Sequence, residues 1–461
     1  MDKQGSSNES SLYRAVWRWH FVAGLLVLPF LILMAITGGI YLFKDELDHA
    51  IYRAWDEVPP HATQVLPASA IVSRVQAATG SQVLQLTQPE LPTEAMRMIV
   101  RTPDGEPRTA FVDPYDGRVL GTTRFGGVMQ IVRKLHSLQY FGPIASWLIE
   151  IAAGWTIVLV GMGIYLWWPR GRKGGFVTIR GAPRQRVFWR DLHAVTGIFT
   201  GAVILFLAVT GMPWSDVWGG KVQAWTTATG LNRPAPPAEV VPDWQLEAYV
   251  PPSSAPVGGH HHEIVKPPLP WALEKAAPPE SDANPNQSPI DLDVALATFD
   301  QAALPRPYSV TLPQGPRGAY AGSYSPARVE DVRIVYVDQY VARILDDVRY
   351  DRFGAGAKAI EWGIAVHQGQ EYGWVNRYVM LSGCLAILTL AISSLTMWWK
   401  RRPKGSLGVP PRPIDPRVAR GLIAIVVAVG IFYPLVGLSL IAAFVIDRAI
   451  ALLVRQRKLP A

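Results

Sequence analysis

The chain has 461 residues, 49% of them hydrophobic and only 17% charged, with a net charge of +8. The apolar residues come in long runs, which excludes an ordinary water-soluble fold. The basic residues sit in short loops between those runs, so the charge is a topology signal and not a nucleic-acid footprint. The one cysteine, Cys384, excludes an intrachain disulfide and a cysteine-held metal cluster.

In chain order, five segments reach the roughly 20 apolar residues that a bilayer span requires. They are 21–43, 144–168, 194–214, 375–399 and 421–446. The predicted organisation is an N-terminus and first span over 1–43, an outside domain over 44–143 and a second span over 144–168. A basic loop follows at 169–193, then a third span at 194–218 and a second outside region at 219–366. A fourth span at 367–399, a second basic loop at 400–420 and a fifth span with the C-terminus at 421–461 complete it. Arg14, Arg18 and the two basic loops mark the cytoplasmic side. The N-terminus is therefore expected inside, and both long polar segments outside, in the periplasm of a bacterial inner membrane. The first apolar run is too long for a cleavable leader. Pro434 is expected to kink the fifth span, and a re-entrant shape stays open.

The first outside segment reads as α+β over 59–125. A helical period covers Ala68–Thr79, strands cover Met96–Arg101 and 109–112, and a turn follows at 114–117. The second begins with a Pro-rich stretch to Pro289, read as an irregular insertion, and ends in a matching α+β unit over 290–350.

The chain repeats itself. His20 is followed by Gly24 and Thr37-Gly38, and His193 at the same offsets by Gly197 and Thr210-Gly211. His136 is followed by Gly142 and Trp167-Trp168, and His367 at the same offsets by Gly373 and Trp398-Trp399. Val112-Asp113-Pro114-Tyr115 is echoed by Val337-Asp338-Gln339-Tyr340. The reading is a parallel duplication. The expected fold is an α-helical membrane protein with a four-helix core, a fifth helix and periplasmic α+β domains.

The topology sets the level of each histidine. His20 and His193 begin outward-going helices and fall at the cytoplasmic face, whereas His136 and His367 begin inward-going helices and fall at the periplasmic face. A pair at each face offers two opposed imidazoles, the usual axial ligands of b-type haem. Two haem b groups, one per leaflet, are the cofactors expected. A lone interfacial histidine is ordinarily amphipathic filler, but four in register are not. Zinc is the competing metal, although no carboxylate recurs near these histidines in both halves.

The other polar residues carry weaker signals. Glu150 lies inside the second span, where it reads equally as a proton relay, a cofactor contact or a carboxylate reaching water. Arg18 and Arg190 lie near the cytoplasmic histidines and could pair with haem propionates, or simply orient the chain. The tryptophan pairs read as interface anchors. The His260-His261-His262 tract is a compositional hint of metal binding. His49 and His61 have no repeat partner and read as surface residues. Gly-Met-Gly at 161–163 lies in a span and not after a strand, so no dinucleotide site is expected.

His20-x3-Gly24 with Thr37-Gly38-Gly39, the stretch Phe111-Val112-Asp113-Pro114-Tyr115-Asp116-Gly117-Arg118, Leu135-His136, Leu192-His193, Trp167-Trp168-Pro169 and Trp398-Trp399 together resemble the PepSY-associated transmembrane family. The resemblance covers nearly the whole chain. The family includes iron-regulated bacterial inner-membrane proteins, some of them di-haem reductases of ferric siderophores. It implies a haem-dependent ferric-siderophore reductase whose partners are a ferric siderophore and a cytoplasmic or quinol electron donor. The long Pro-rich insertion departs from a minimal member and leaves the substrate open. Two other readings stand beside this one. One is a PepSY-type envelope sensor or peptidase regulator, and the other a transporter-like scaffold without redox activity.

Overall fold

The structure is a computed structural model that describes residues 2–59, 64–169, 176–232, 269–274, 277–282, 287–403, 408 and 428–456. The histidine tract at 260–262, His61 and the first residues of the fifth predicted span lie outside this set. The helix α1 (Asp2–Tyr41) is followed by α2 (Lys44–Asp56) and α3 (Ala68–Thr79). Next come β1 (Gln82–Thr87), β2 (Met96–Arg101), β3 (Pro107–Val112), β4 (Val119–Arg124) and α4 (Gly127–His136). Then α5 (Pro143–Trp167), α6 (Arg186–Gly211), α7 (Trp218–Ala228) and α8 (Leu292–Gln301) follow. The chain continues through β5 (Ser309–Thr311), β6 (Ala319–Tyr324), β7 (Arg333–Asp338) and β8 (Ile344–Arg349). It ends with α9 (Ala355–His367), α10 (Gly373–Arg401) and α11 (Pro434–Gln456). Two compact units result, one from 1–43, 132–224 and 366–461, the other from 44–131 and 225–365.

In the helical unit, four helices among the described residues are long and apolar enough to cross a membrane: Leu12–Tyr41, Pro143–Trp167, Arg186–Trp214 and Gly373–Arg401. Helices α1 and α6 each pack against both α5 and α10. This makes a closed four-helix ring with α1 diagonal to α6. Small residues let the helices close up. A Cβ on Gly383 of α10 would lie 2.8 Å from Val203 of α6. The outward faces are apolar, with Phe199, Leu385 and Ile392 all more than half exposed. Such faces suit lipid and not water.

The fifth segment differs from a single straight span. A helical stretch from residue 428 breaks at Tyr433, and α11 starts at Pro434. Its apolar part, Pro434–Ile446, is shorter than a span. Proline has no N–H to continue the preceding helix and is well suited to start the next. Gly430 and Gly437 pack backbone to backbone across the break, where a Cβ on Gly437 would come 2.3 Å from Gly430 Cα.

The levels of the histidines also need refining. His20 lies inside α1 and His193 inside α6, not at the helix starts. His136 and His367 do not begin α5 and α10. They are the last residues of α4 and α9. Leu138 and Gly369, both with left-handed φ, end those two helices with the same backbone bond to the residue three before. Each thus turns the chain into the span that follows.

In the second unit, all eight strands form one antiparallel sheet of order β4-β3-β2-β1-β5-β6-β7-β8. Two four-stranded meanders meet through β1 and β5. The α+β segments therefore share a sheet instead of standing as separate domains. The same details recur in both. A register shift falls at Phe111/Val112 and at Tyr336/Val337. The Asp113 carboxylate accepts from Tyr115 N at 2.8 Å, and that of Asp338 from Tyr340 N at 2.7 Å. Helices α3 and α8 bury their apolar stripes on one face of the sheet, around Ile71, Val75, Phe299 and Tyr308. Phe299 has no exposed surface, and a Cβ on Gly322 would already press its ring at 2.8 Å. Phe299→Ala is expected to cost about 3–5 kcal/mol, read as a lowered denaturation midpoint.

Glu361 of α9 is buried and accepts from Ala272 N at 2.9 Å. Burial pushes its carboxyl from 4.5 up to about 7. The folded state therefore binds the proton more tightly than the unfolded chain. Stability from this group is full below pH about 4.5 and is lost as pH rises through about 7, by about 3 kcal/mol in all. Glu361→Gln is expected to flatten that part of the stability–pH curve.

Candidate functional site

The ring of α1, α5, α6 and α10 brings His20 and His193 together on diagonal helices. Their ring centroids are 6.3 Å apart with planes at 89°. Two imidazoles that hold one metal atom between them, with metal–nitrogen bonds of about 2 Å and roughly 1 Å from nitrogen to ring centre, have centres about 6 Å apart. The rings face a cavity of about 690 Å³ between the helices. That lies within the range of cofactor pockets, about 300–1,000 Å³. Trp17, Trp167 and Trp398 line its walls with Gly24, Gly163 and Gly197. Arg14, Arg180, Arg186, Arg190 and Arg401 line it too, with Asp191 as the one acid among the described residues. Asp191 is buried and takes Arg180 Nε at 2.8 Å and Arg190 Nη2 at 2.6 Å. Arg401 lies over the Trp17 ring at 4.1 Å. The excess of guanidinium suits a ligand with an apolar body and carboxylate arms.

At the other end of the bundle, His136 reaches α1 and His367 reaches α6. Their second nitrogens are held alike. His136 Nδ1 is 2.9 Å from Thr37 Oγ1, which itself donates to Leu33 O at 2.6 Å. His367 Nδ1 is 2.9 Å from Thr210 Oγ1, which donates to Phe206 O at 2.6 Å. A hydroxyl has one proton, and here a carbonyl takes it. The threonine must then accept from the imidazole, so Nδ1 carries the ring proton and Nε2 keeps its lone pair. Such an outer hydrogen bond fixes the tautomer and orientation of a metal-binding histidine. His193 is treated similarly, with Nδ1 3.1 Å from Ser393 Oγ, which donates to Leu390 O at 3.0 Å. His20 Nδ1 is buried without a hydrogen-bond partner. The Leu159 backbone is the polar group beside it, and no side-chain hydroxyl meets it among the described residues.

Glycines bring the helices down onto the rings. A Cβ on Gly38 would meet His136 Cε1 at 3.3 Å, one on Gly211 His367 Cε1 at 3.4 Å, and one on Gly163 His20 Cε1 at 3.5 Å. Trp214 stands edge-on to His367 with centroids 6.2 Å apart. Thr37 and His20 lie on one helix, seventeen residues apart. At 1.5 Å per residue the two histidine levels are separated by roughly 25 Å, most of a bilayer core of about 30 Å.

The remaining sequence candidates fall as follows. Arg190 lines the cavity but is tied to Asp191, and Arg18 is not among the lining residues. Glu150 is buried, and its Oε2 accepts from Val217 N and Trp218 N at 3.2 Å. It thus anchors the start of α7, where a carboxylate complements the helix dipole. Trp168 and Trp399 point outward, as interface anchors do. His49 is exposed and sits 3.4 Å from both Asp56 and Glu57. Among the described residues no three His, Cys, Asp or Glu side chains converge on a metal position. Thr37 and Thr210 appear in the sequence as small positions only, and Ser393, Arg14 and Arg401 not at all as site residues. Their signal is spatial, since the histidines that Thr37, Thr210 and Ser393 meet are 99, 157 and 200 residues away.

No curated protein matches the chain. A family model described as the PepSY-associated TM region matches residues 17–401, which takes in all four spans, both segments of the sheet unit and all four histidines. The chain is a multi-pass membrane protein and belongs to the PepSY-associated TM family.

Proposed function

We propose that the protein carries electrons across a bacterial inner membrane between two b-type haem sites and delivers them to a ferric siderophore in the periplasm. The observation that carries this reading is the placing of histidines at two levels of the four-helix ring, His20 and His193 on its diagonal helices and His136 and His367 each bonded to one of those same two helices. His20 and His193 hold the cytoplasmic group and His136 and His367 the periplasmic one. When bound, the haems supply one-electron carriers within the insulating core. The chain's own residues do the rest. Thr37, Thr210 and Ser393 hold the Nδ1 protons, so that Nε2 faces the metal. The arginines of the large cavity balance propionate charge, and the apolar walls keep out water. The basic loops support a cytoplasmic side for this cavity, where a cytoplasmic or quinol donor would reach it. The sheet unit, built from the two segments that the charge pattern assigns to the periplasm, is the proposed docking platform for the chelate. Hard oxygen ligands hold Fe(III) far better than Fe(II), so reduction releases the iron.

The test is reoxidation. Purified protein is reduced anaerobically and mixed with a panel of ferric chelates, and its haem bands are followed. Rapid reoxidation by at least one ferric siderophore, with Fe(II) appearing in a chelator assay, is expected. Reduced haem that stays reduced with every chelate would overturn the substrate assignment.

A further inference from the structure

Each of the four histidines meets the facing helix at an equivalent place. The contacts are Thr37-Gly38 for His136, Thr210-Gly211 for His367, Ser393 for His193 and Gly163, next to Met162, for His20. By the offset that relates His136 to His367, Ser393 corresponds to Met162. In each case the backbone carbonyl three residues before lies near the ring: Met34, Leu207, Leu390 and Leu159. Of the four equivalent positions only that facing His20 carries a thioether in place of the hydroxyl, and only His20 Nδ1 lacks a side-chain hydrogen bond among the described residues. The Gly-Met-Gly run at 161–163, which makes no dinucleotide site, is thus the helix face against His20.

We propose that His20 is the exchangeable ligand of the four and that the cytoplasmic-side centre accepts a neutral diatomic molecule in its place. This rests on the haem reading above. A histidine whose outer nitrogen lacks the hydroxyl its three counterparts have is less basic and less firmly oriented, and losing such a bond typically weakens metal binding 10–100-fold. In the exchange the bond from iron to His20 Nε2 breaks and a bond to the incoming ligand forms, with no change of oxidation state and no proton released. His193, held by Ser393, would remain bound.

The probe is carbon monoxide, added to the dithionite-reduced full-length protein in detergent. Half of the haem is expected to form the carbon monoxide complex, seen as a partial Soret shift. Met162→Thr supplies the missing hydroxyl and is expected to weaken carbon monoxide binding 10–100-fold at unchanged haem content, and Met162→Ser to do the same. Met162→Leu is expected to leave it as in the wild type. Carbon monoxide on both haems equally or on neither, or a Met162→Thr protein that binds it unchanged, would overturn the proposal while leaving the di-haem reading intact. A protein that carries no haem would remove both.

Discussion

His367→Ala is expected to yield a protein with one haem per chain in place of two, with the cytoplasmic-side spectrum unchanged. The two histidine levels are roughly 25 Å apart along α1, so loss of a ligand at one leaves the other untouched. At its own level the loss is severe. The alanine would leave the proposed haem one imidazole, and the half-buried Thr210 Oγ1 would lose the imidazole 2.9 Å away from which it accepts. The same outcome is expected for His136→Ala, and the converse loss for His193→Ala. His49→Ala, on an exposed histidine of the sheet unit, should retain both haems. Haem-to-protein ratios by pyridine haemochrome decide it. A His367→Ala protein that keeps two haems would show that the pairing is wrong.

The second large effect is expected from the threonines. Thr37→Val keeps the shape of the side chain and removes the hydroxyl between His136 and the Leu33 carbonyl. The imidazole then loses the acceptor that fixes its tautomer, and haem retention at the periplasmic-side centre should fall 10–100-fold. Thr210→Val should act alike on His367. Thr37→Ser restores the hydroxyl and should restore binding. Since Thr37 is buried in the helix contact, the serine variant separates a hydrogen-bonding role from mere packing. Equal haem loss in the valine and serine proteins would argue for packing alone.

The four spans were legible because a run of apolar residues is a local property. So were Ala68–Thr79 and Met96–Arg101, whose structural boundaries coincide with the ones read from periodicity. The strand β1 was not. Gln82–Thr87 carries Gln85 into a buried position, so its alternation is blurred. Helix α2 hid behind its acidic start, which reads as a topology signal. The fusion of both meanders into one sheet depends on β1 pairing with β5, Gln85 opposite Thr311, across more than two hundred residues. No local pattern encodes that. The histidines were legible from their repeat, but their partners were not. A threonine beside a glycine looks the same whether it merely lets helices approach or accepts a proton from an imidazole, and Met162 looked like part of a failed nucleotide motif.

The central claim is that four histidines hold two haems. The most direct measurement is a reduced-minus-oxidised spectrum, with haem quantified, on the full-length protein purified from haem-replete cells. Two b-type haems per chain, with a Soret band and α-bands on reduction, is the predicted result. A colourless protein, folded by circular dichroism and intact in length, would contradict the account.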